Sequence, residues 1–146
     1  MNEVSLLIVL VVLGVCFVAA IFLLLRMQRE EQAKIANKIE MLTAGRPPLT
    51  SQEFAARYFS EDAAAIAARC HKIFAGIYEF DASRVLPDDR LCADLYFAAH
   101  DCLDAYELLT SLEREFNIKF SEAEARQMLT LRDIVETILA RQGKVI

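Results

Sequence analysis

The chain has 146 residues, with 16 Lys and Arg against 21 Asp and Glu and a formal net charge of −5. That length holds one small domain with appendages and excludes two full domains. The acidic balance, with an isoelectric point near 5.1, argues against a sequence-independent nucleic-acid binder, which needs a basic face to neutralise phosphates; 4 Gly and 3 Pro argue against a sheet-rich or disordered chain.

Apolar residues make up 55% of the chain, and the excess lies in one block. Val4 to Leu25 reads VSLLIVLVVLGVCFVAAIFLLL, 22 residues without a charge. About 20 apolar residues in a helix span the hydrocarbon core of a bilayer. A buried soluble helix would need surroundings that the rest of the chain is too small to supply. A cleaved signal peptide would need a basic n-region and a small-x-small cleavage site. Met1-Asn2-Glu3 has no Lys or Arg, and the apolar run ends directly in Arg26. Residues 1–25 are therefore predicted to be a single transmembrane anchor, with membrane lipid the partner of residues 4–25. No base precedes the block, and Arg26, Arg29, Lys34 and Lys38 follow it. The positive-inside tendency then places the C-terminal part in the cytoplasm, as at a bacterial inner membrane. In that reducing compartment the four cysteines are not two disulfides.

Residues 26–59 are predicted to be a helical juxtamembrane stalk and linker. Ile35, Ile39 and Leu42 recur at helical spacing in 26–44. Gly45 and the Pro47-Pro48 pair end that helix. Thr50 and Glu53 have capping-box spacing for a short helix ending near Phe59. Segment 26–60 holds 6 bases and 4 acids, whereas 61–146 holds 16 acids and 10 bases. An acidic domain thus follows a mildly basic stalk that suits anionic lipid.

The domain is predicted over 60–146 as four helices. The first, 61–79, starts at Ser60 and turns Ile66, Ile73, Phe74 and Ile77 inward. A long loop follows over 80–100. The second helix runs from Asp101–Cys102 to about 116, with Leu103, Leu108, Leu112 and Phe116 on one face. Tyr106, Leu109 and Phe120 are expected to widen that apolar surface. A short third helix covers Glu122–Met128 with Ser121 as its N-cap. The fourth covers about 131–141, with Thr130 as its N-cap and Leu131, Ile134, Val135 and Ile138 inward. The fold class is all-α, and the four helices suit a small bundle.

Residues 102–116 read CLDAYELLTSLEREF. Asp101, Leu103, Asp104, Glu107, Leu108, Leu112, Glu113, Glu115 and Phe116 fall where the acyl carrier protein family has a DSLD-x-x-EL-x-x-x-LE-x-EF pattern. Ser121 to Leu131 resembles the family's acidic third helix and the step into its last. Val85, Leu91 and Leu95 are similar to the loop before its modification site. The resemblance covers about 60–142 and implies the four-helix carrier fold and no enzymatic activity. In the family the Ser of Asp-Ser-Leu carries phosphopantetheine. Here the triplet is Asp101-Cys102-Leu103. A phosphodiester needs an oxygen nucleophile, so no cofactor is expected. The usual Gly-containing pair before the triplet is also replaced, by the five residues Tyr96 to His100.

Three readings of Cys102 stay open: a drifted position without chemistry, a direct thioester acceptor, or a lipid-attachment or redox site. First-turn N–H groups favour a thiolate there, and Asp101 and Asp104 oppose it. Neither Cys70-His71 nor His100 with Cys102 has zinc spacing, so no metal is expected. No orienting group or oxyanion site accompanies a Cys–His pair, so no catalytic residue is assigned. The resemblance implies that the acidic second helix docks onto basic patches of partner enzymes, through Asp101, Leu103, Asp104, Glu107 and Glu113. The expected function is a membrane-tethered, non-catalytic docking module for an acyl- or fatty-acid-handling enzyme. The alternatives are a carrier acylated directly on Cys102 and a structural bitopic interaction protein. No nucleic-acid partner is expected.

Overall fold

The computed structural model describes residues 2–77, 81–95 and 102–143, and of 102–104 the backbone alone. The chain divides into two compact units, 1–38 and 39–146. No strand occurs among the described residues, and one isolated antiparallel bridge joins Arg90 to Thr130.

Helix α1 runs over Glu3–Thr43, 41 residues without a break. Its most apolar 18 residues have a mean hydropathy of 3.3, and none of them is buried. Leu7, Phe17 and Phe22, on different sides of the helix, are all exposed. By length and composition α1 is able to cross a membrane. Residues 26–43 continue the same helix because no Gly or Pro falls between Leu25 and Gly45. Exposed pairs at helical spacing, Arg26 with Glu30 and Lys34 with Glu31, line that stretch. Gly45 then adopts φ +78°, a left-handed conformation that suits glycine, and the chain leaves the helix.

The second unit starts within the segment read from sequence as stalk. Ile39 and Thr43 are buried, and Thr43 returns its hydroxyl to the Ile39 carbonyl at 2.9 Å. Helix α2, Ser51–Tyr58, has the predicted capping box: Thr50 and Glu53 satisfy each other's backbone N–H groups. It packs on α3, Glu61–Ile77. Phe54 and Ala55 of α2 are fully buried, so the compact unit reaches well beyond the boundary expected at residue 60. The reason is Phe54, which is 1% exposed and stacked on His71 of α3 at 4.3 Å between ring centroids.

A 3-10 turn at Ala82–Arg84 interrupts the loop that the sequence left without structure. Three further helices follow: α4 over Cys102–Phe116, α5 over Glu122–Gln127 and α6 over Leu131–Gln142. Ser121 caps α5 and Thr130 caps α6, as predicted, each within a full capping box. The core is built on α3, which packs against α2, α4 and α6. Phe74 from α3, Leu112 from α4 and Ile134 and Ile138 from α6 are at most 1% exposed. Ile73 and Ile77 are half-buried. Residues 78–79, the predicted last turn of the first bundle helix, lie outside the described residues.

Candidate functional site

Helix α4 presents the candidate site. Its inner face is Leu108, Leu112 and Phe116, all buried. Arg69 of α3 holds the C-terminal end: Nε donates to Glu115 Oε1 at 2.8 Å and Nη2 to the Glu115 carbonyl at 2.9 Å. The same guanidinium lies 4.4 Å from the centroid of the Phe116 ring. Cys102 is the first residue of the helix. Asp101, and the side chains of Cys102, Leu103 and Asp104, lie outside the described residues. Glu107 is exposed. Tyr106, expected to extend the apolar face, is 68% exposed and belongs to the outer surface. Leu109 and Phe120 are half-buried.

Glu113 behaves differently from Glu107. Its carboxylate accepts from the Phe120 backbone N–H at 2.9 Å and from Lys119 Nζ. Those hydrogen bonds, Lys119 first and then Phe120, hold its pKa below the usual carboxylate value. Glu113 closes the α4–α5 turn, in which Asn117 has φ 52°. The sequence reading missed this closing role because the partner N–H of Phe120 lies beyond the end of α4, where side-chain periodicity carries no information.

The loop leading to α4 is anchored at several points. Val85, Leu91 and Leu95 are buried, at 1%, 4% and 2% exposure. Asp89 is also buried; it receives both terminal nitrogens of Arg46, at 2.7 and 3.3 Å, and the Leu86 N–H at 2.8 Å. The start of α6 supplies the rest. Leu91 N–H donates to the Leu129 carbonyl at 2.9 Å, and Arg132 N–H to the Pro87 carbonyl at 3.1 Å. The Arg132 side chain grips Asp88 at 2.6 and 2.9 Å. Helix α5 is fixed through Glu124, which completes the Ser121 box and accepts from Arg141 Nε at 2.9 Å. Arg141, followed by Ser121, pulls the Glu124 carboxyl down to about 2.

Two reactive side chains are built into the scaffold. Cys70 is 1% exposed, and burial pushes its thiol up to about 12, which makes it inert. His71 is 2% exposed. Its Nδ1 lies 3.0 Å from Ser51 Oγ and its Nε2 3.2 Å from the Ala82 carbonyl. A neutral ring satisfies both, accepting from the serine and donating to the carbonyl. Burial lowers its pKa from 6.5, against a smaller opposite effect of the Ala82 carbonyl. The unfolded chain therefore binds the proton more readily. The stability His71 contributes is complete above about pH 6.5 and is lost as pH falls through that value toward the lower folded pKa. Urea midpoints are expected to fall between about pH 7 and pH 5, and this slope is expected to flatten in His71→Gln. The carboxylates with lowered pKa values add their own losses further down, below about 4.5.

Among the described residues, no three or more His, Cys, Asp or Glu are grouped to hold a metal ion. No family model matches the chain. It is similar to the acyl carrier protein of Chlamydia caviae, at 40% identity over 63 residues, 43% of this chain and 78% of that protein. The acyl carrier protein of Helicobacter hepaticus is 37% identical over 62 residues, 42% of this chain and 78% of the relative. That of Treponema denticola is 32% identical over 74 residues, 51% of this chain and 91% of the relative. With these likenesses beside an all-helical unit whose α4 follows the LD-x-x-EL pattern, the chain belongs to the acyl carrier protein family, a family of carriers and not of enzymes.

Proposed function

We propose that this family member is a docking module held at a membrane by α1, and that it offers α4 to an acyl- or fatty-acid-handling enzyme with a basic patch. The observation that carries the reading is Cys102 at the attachment position beside a retained Leu103-Asp104-x-x-Glu107-Leu108 motif. Phosphopantetheine does not fit there: its linkage to this family is a phosphodiester on a hydroxyl oxygen, and Cys102 offers sulfur. Losing that hydroxyl leaves the outer surface of α4 intact, with Glu107 and Tyr106 exposed. The apolar stretch 4–25 of α1, followed within the same helix by Arg26 and Arg29, suits a lipid anchor with the second unit on the cytoplasmic side.

Direct acylation of Cys102 is the competing reading. It is favoured by the place of that thiol at the first residue of a 15-residue helix. Intact-protein mass spectrometry of the native chain, with and without hydroxylamine, separates the two. An unmodified mass is expected. A hydroxylamine-labile adduct absent from Cys102→Ala replaces docking with thioester carriage, and a phosphopantetheine-sized adduct overturns both. The anchor is tested by alkaline carbonate washing of membranes. The full chain is expected to stay in the pellet and a chain lacking residues 1–25 to be released, because a transmembrane helix inserts all but irreversibly. Charge reversal at Asp104 and Glu107 is expected to abolish cross-linking to the partner enzyme in native membranes, and undiminished cross-linking removes the docking reading.

A further inference from the structure

The outer stripe of α4 is self-complementary in charge. Tyr106, Thr110 and Arg114 follow one another at four-residue spacing, with Glu107 alongside. All lie opposite the buried Leu108, Leu112 and Phe116. Tyr106, Glu107 and Arg114 are exposed. Among the described residues neither the Glu107 carboxylate nor the Arg114 guanidinium has an ion-pair partner, although Glu113, Glu115 and Lys119 nearby are all paired. Thr110 turns its hydroxyl back onto the Tyr106 carbonyl at 2.8 Å and presents no unmet donor.

We infer that this stripe pairs with the same stripe of a second copy of the chain, antiparallel, across a twofold axis between Thr110 and Ser111. Glu107 and Arg114 stand equally far from that axis, about 5 Å along the helix on either side. An antiparallel partner therefore sets its Arg114 level with Glu107, and its Glu107 level with Arg114. Twofold symmetry makes each such contact twice. The partner's Arg114 also lies within one residue of the level of Tyr106, where the exposed ring offers its face to the cation. The two threonines meet at the centre without leaving a polar group unsatisfied. Anchored copies would meet in the plane of one membrane, where their local concentration is high. The inference does not rest on the docking reading. Because both use Glu107, the pair and an enzyme partner would exclude each other.

The test is self-association of the full chain in detergent micelles, by analytical ultracentrifugation over a concentration series. Wild type is expected to dimerise. Glu107→Arg and Arg114→Glu each place like charges opposite one another twice, and are expected to weaken the dimer about tenfold or more. The double variant restores opposite charges and is expected to recover the wild-type dimer. Recovery cannot come from enzyme docking, which Glu107→Arg impairs whether or not residue 114 is changed. Thr110→Cys provides a second readout, a disulfide linking the two 110 positions under mild oxidation, located by peptide mass mapping. A monomeric wild type, singles that dimerise as wild type does, or a double variant that fails to recover while circular dichroism shows it folded would overturn the inference. A dimer unaffected by all three variants would place association in α1 and have the same consequence.

Discussion

Phe54→Ala is expected to cost about 4 kcal/mol of stability, near the middle of the range for emptying a buried aromatic site. Phe54 is the large apolar anchor of α2, a helix of 8 residues that is too short to hold its shape unaided. Its ring meets Tyr58 edge-on at 5.6 Å, Phe59 at 5.8 Å and His71 in a stack at 4.3 Å. Truncation removes all three contacts and leaves His71 beside a void, so the helix loses its hold on α3. A urea titration of the full chain in non-ionic detergent, followed by far-ultraviolet circular dichroism, measures the loss. A change below about 1 kcal/mol would show that α2 lies outside the cooperative unit.

Asp89→Ala is expected to cost about 3 kcal/mol, the lower end for removing one partner of a buried ion pair. Two consequences add. The Leu86 N–H loses its acceptor, and the Arg46 guanidinium, only 22% exposed, loses its counter-ion. Asp89→Asn separates them, because an amide oxygen still accepts from Leu86 while the charge is gone. Its cost is expected to fall between wild type and the alanine variant. Arg46 lies 43 positions before Asp89, so the bond fixes the entry of the second unit to the loop that feeds α4. The alanine variant is therefore also expected to show faster hydrogen exchange at Leu86 and Asp89 than at Leu112 of the core.

What was legible in the sequence was local. The capping box at Thr50 and the N-caps Ser121 and Thr130 need only residues within one turn of the helix start, and all three form, the last two as full boxes. The apolar faces of α4 and α6 repeat at the helical period, and Leu108, Leu112, Ile134 and Ile138 are buried accordingly. What was hidden depends on partners far along the chain. Nothing near Phe54 indicates that His71 will stack on it, so α2 read as linker. Nothing near Glu113 indicates that its acceptor role lies in the turn beyond the helix. Tyr106 misled in the other direction, because an aromatic beside an apolar stripe reads as its margin, while the half-turn between Tyr106 and Leu108 carries it to the outside. The site itself was only partly visible. The pattern around Cys102 identified the helix, but the anchoring of its approach by Arg46, Arg132 and the Leu129 carbonyl is entirely non-local.

Cys70 gives the molecule a built-in clock. A thiol at 1% exposure whose proton is held until about pH 12 does not react with an alkylating reagent while α3 is packed. Cys92, exposed in the loop before α4, is open to the reagent and calibrates it within the same chain. The ratio of the two labelling rates therefore counts how often the interior opens, in detergent, in vesicles or in an intact cell, with no probe introduced.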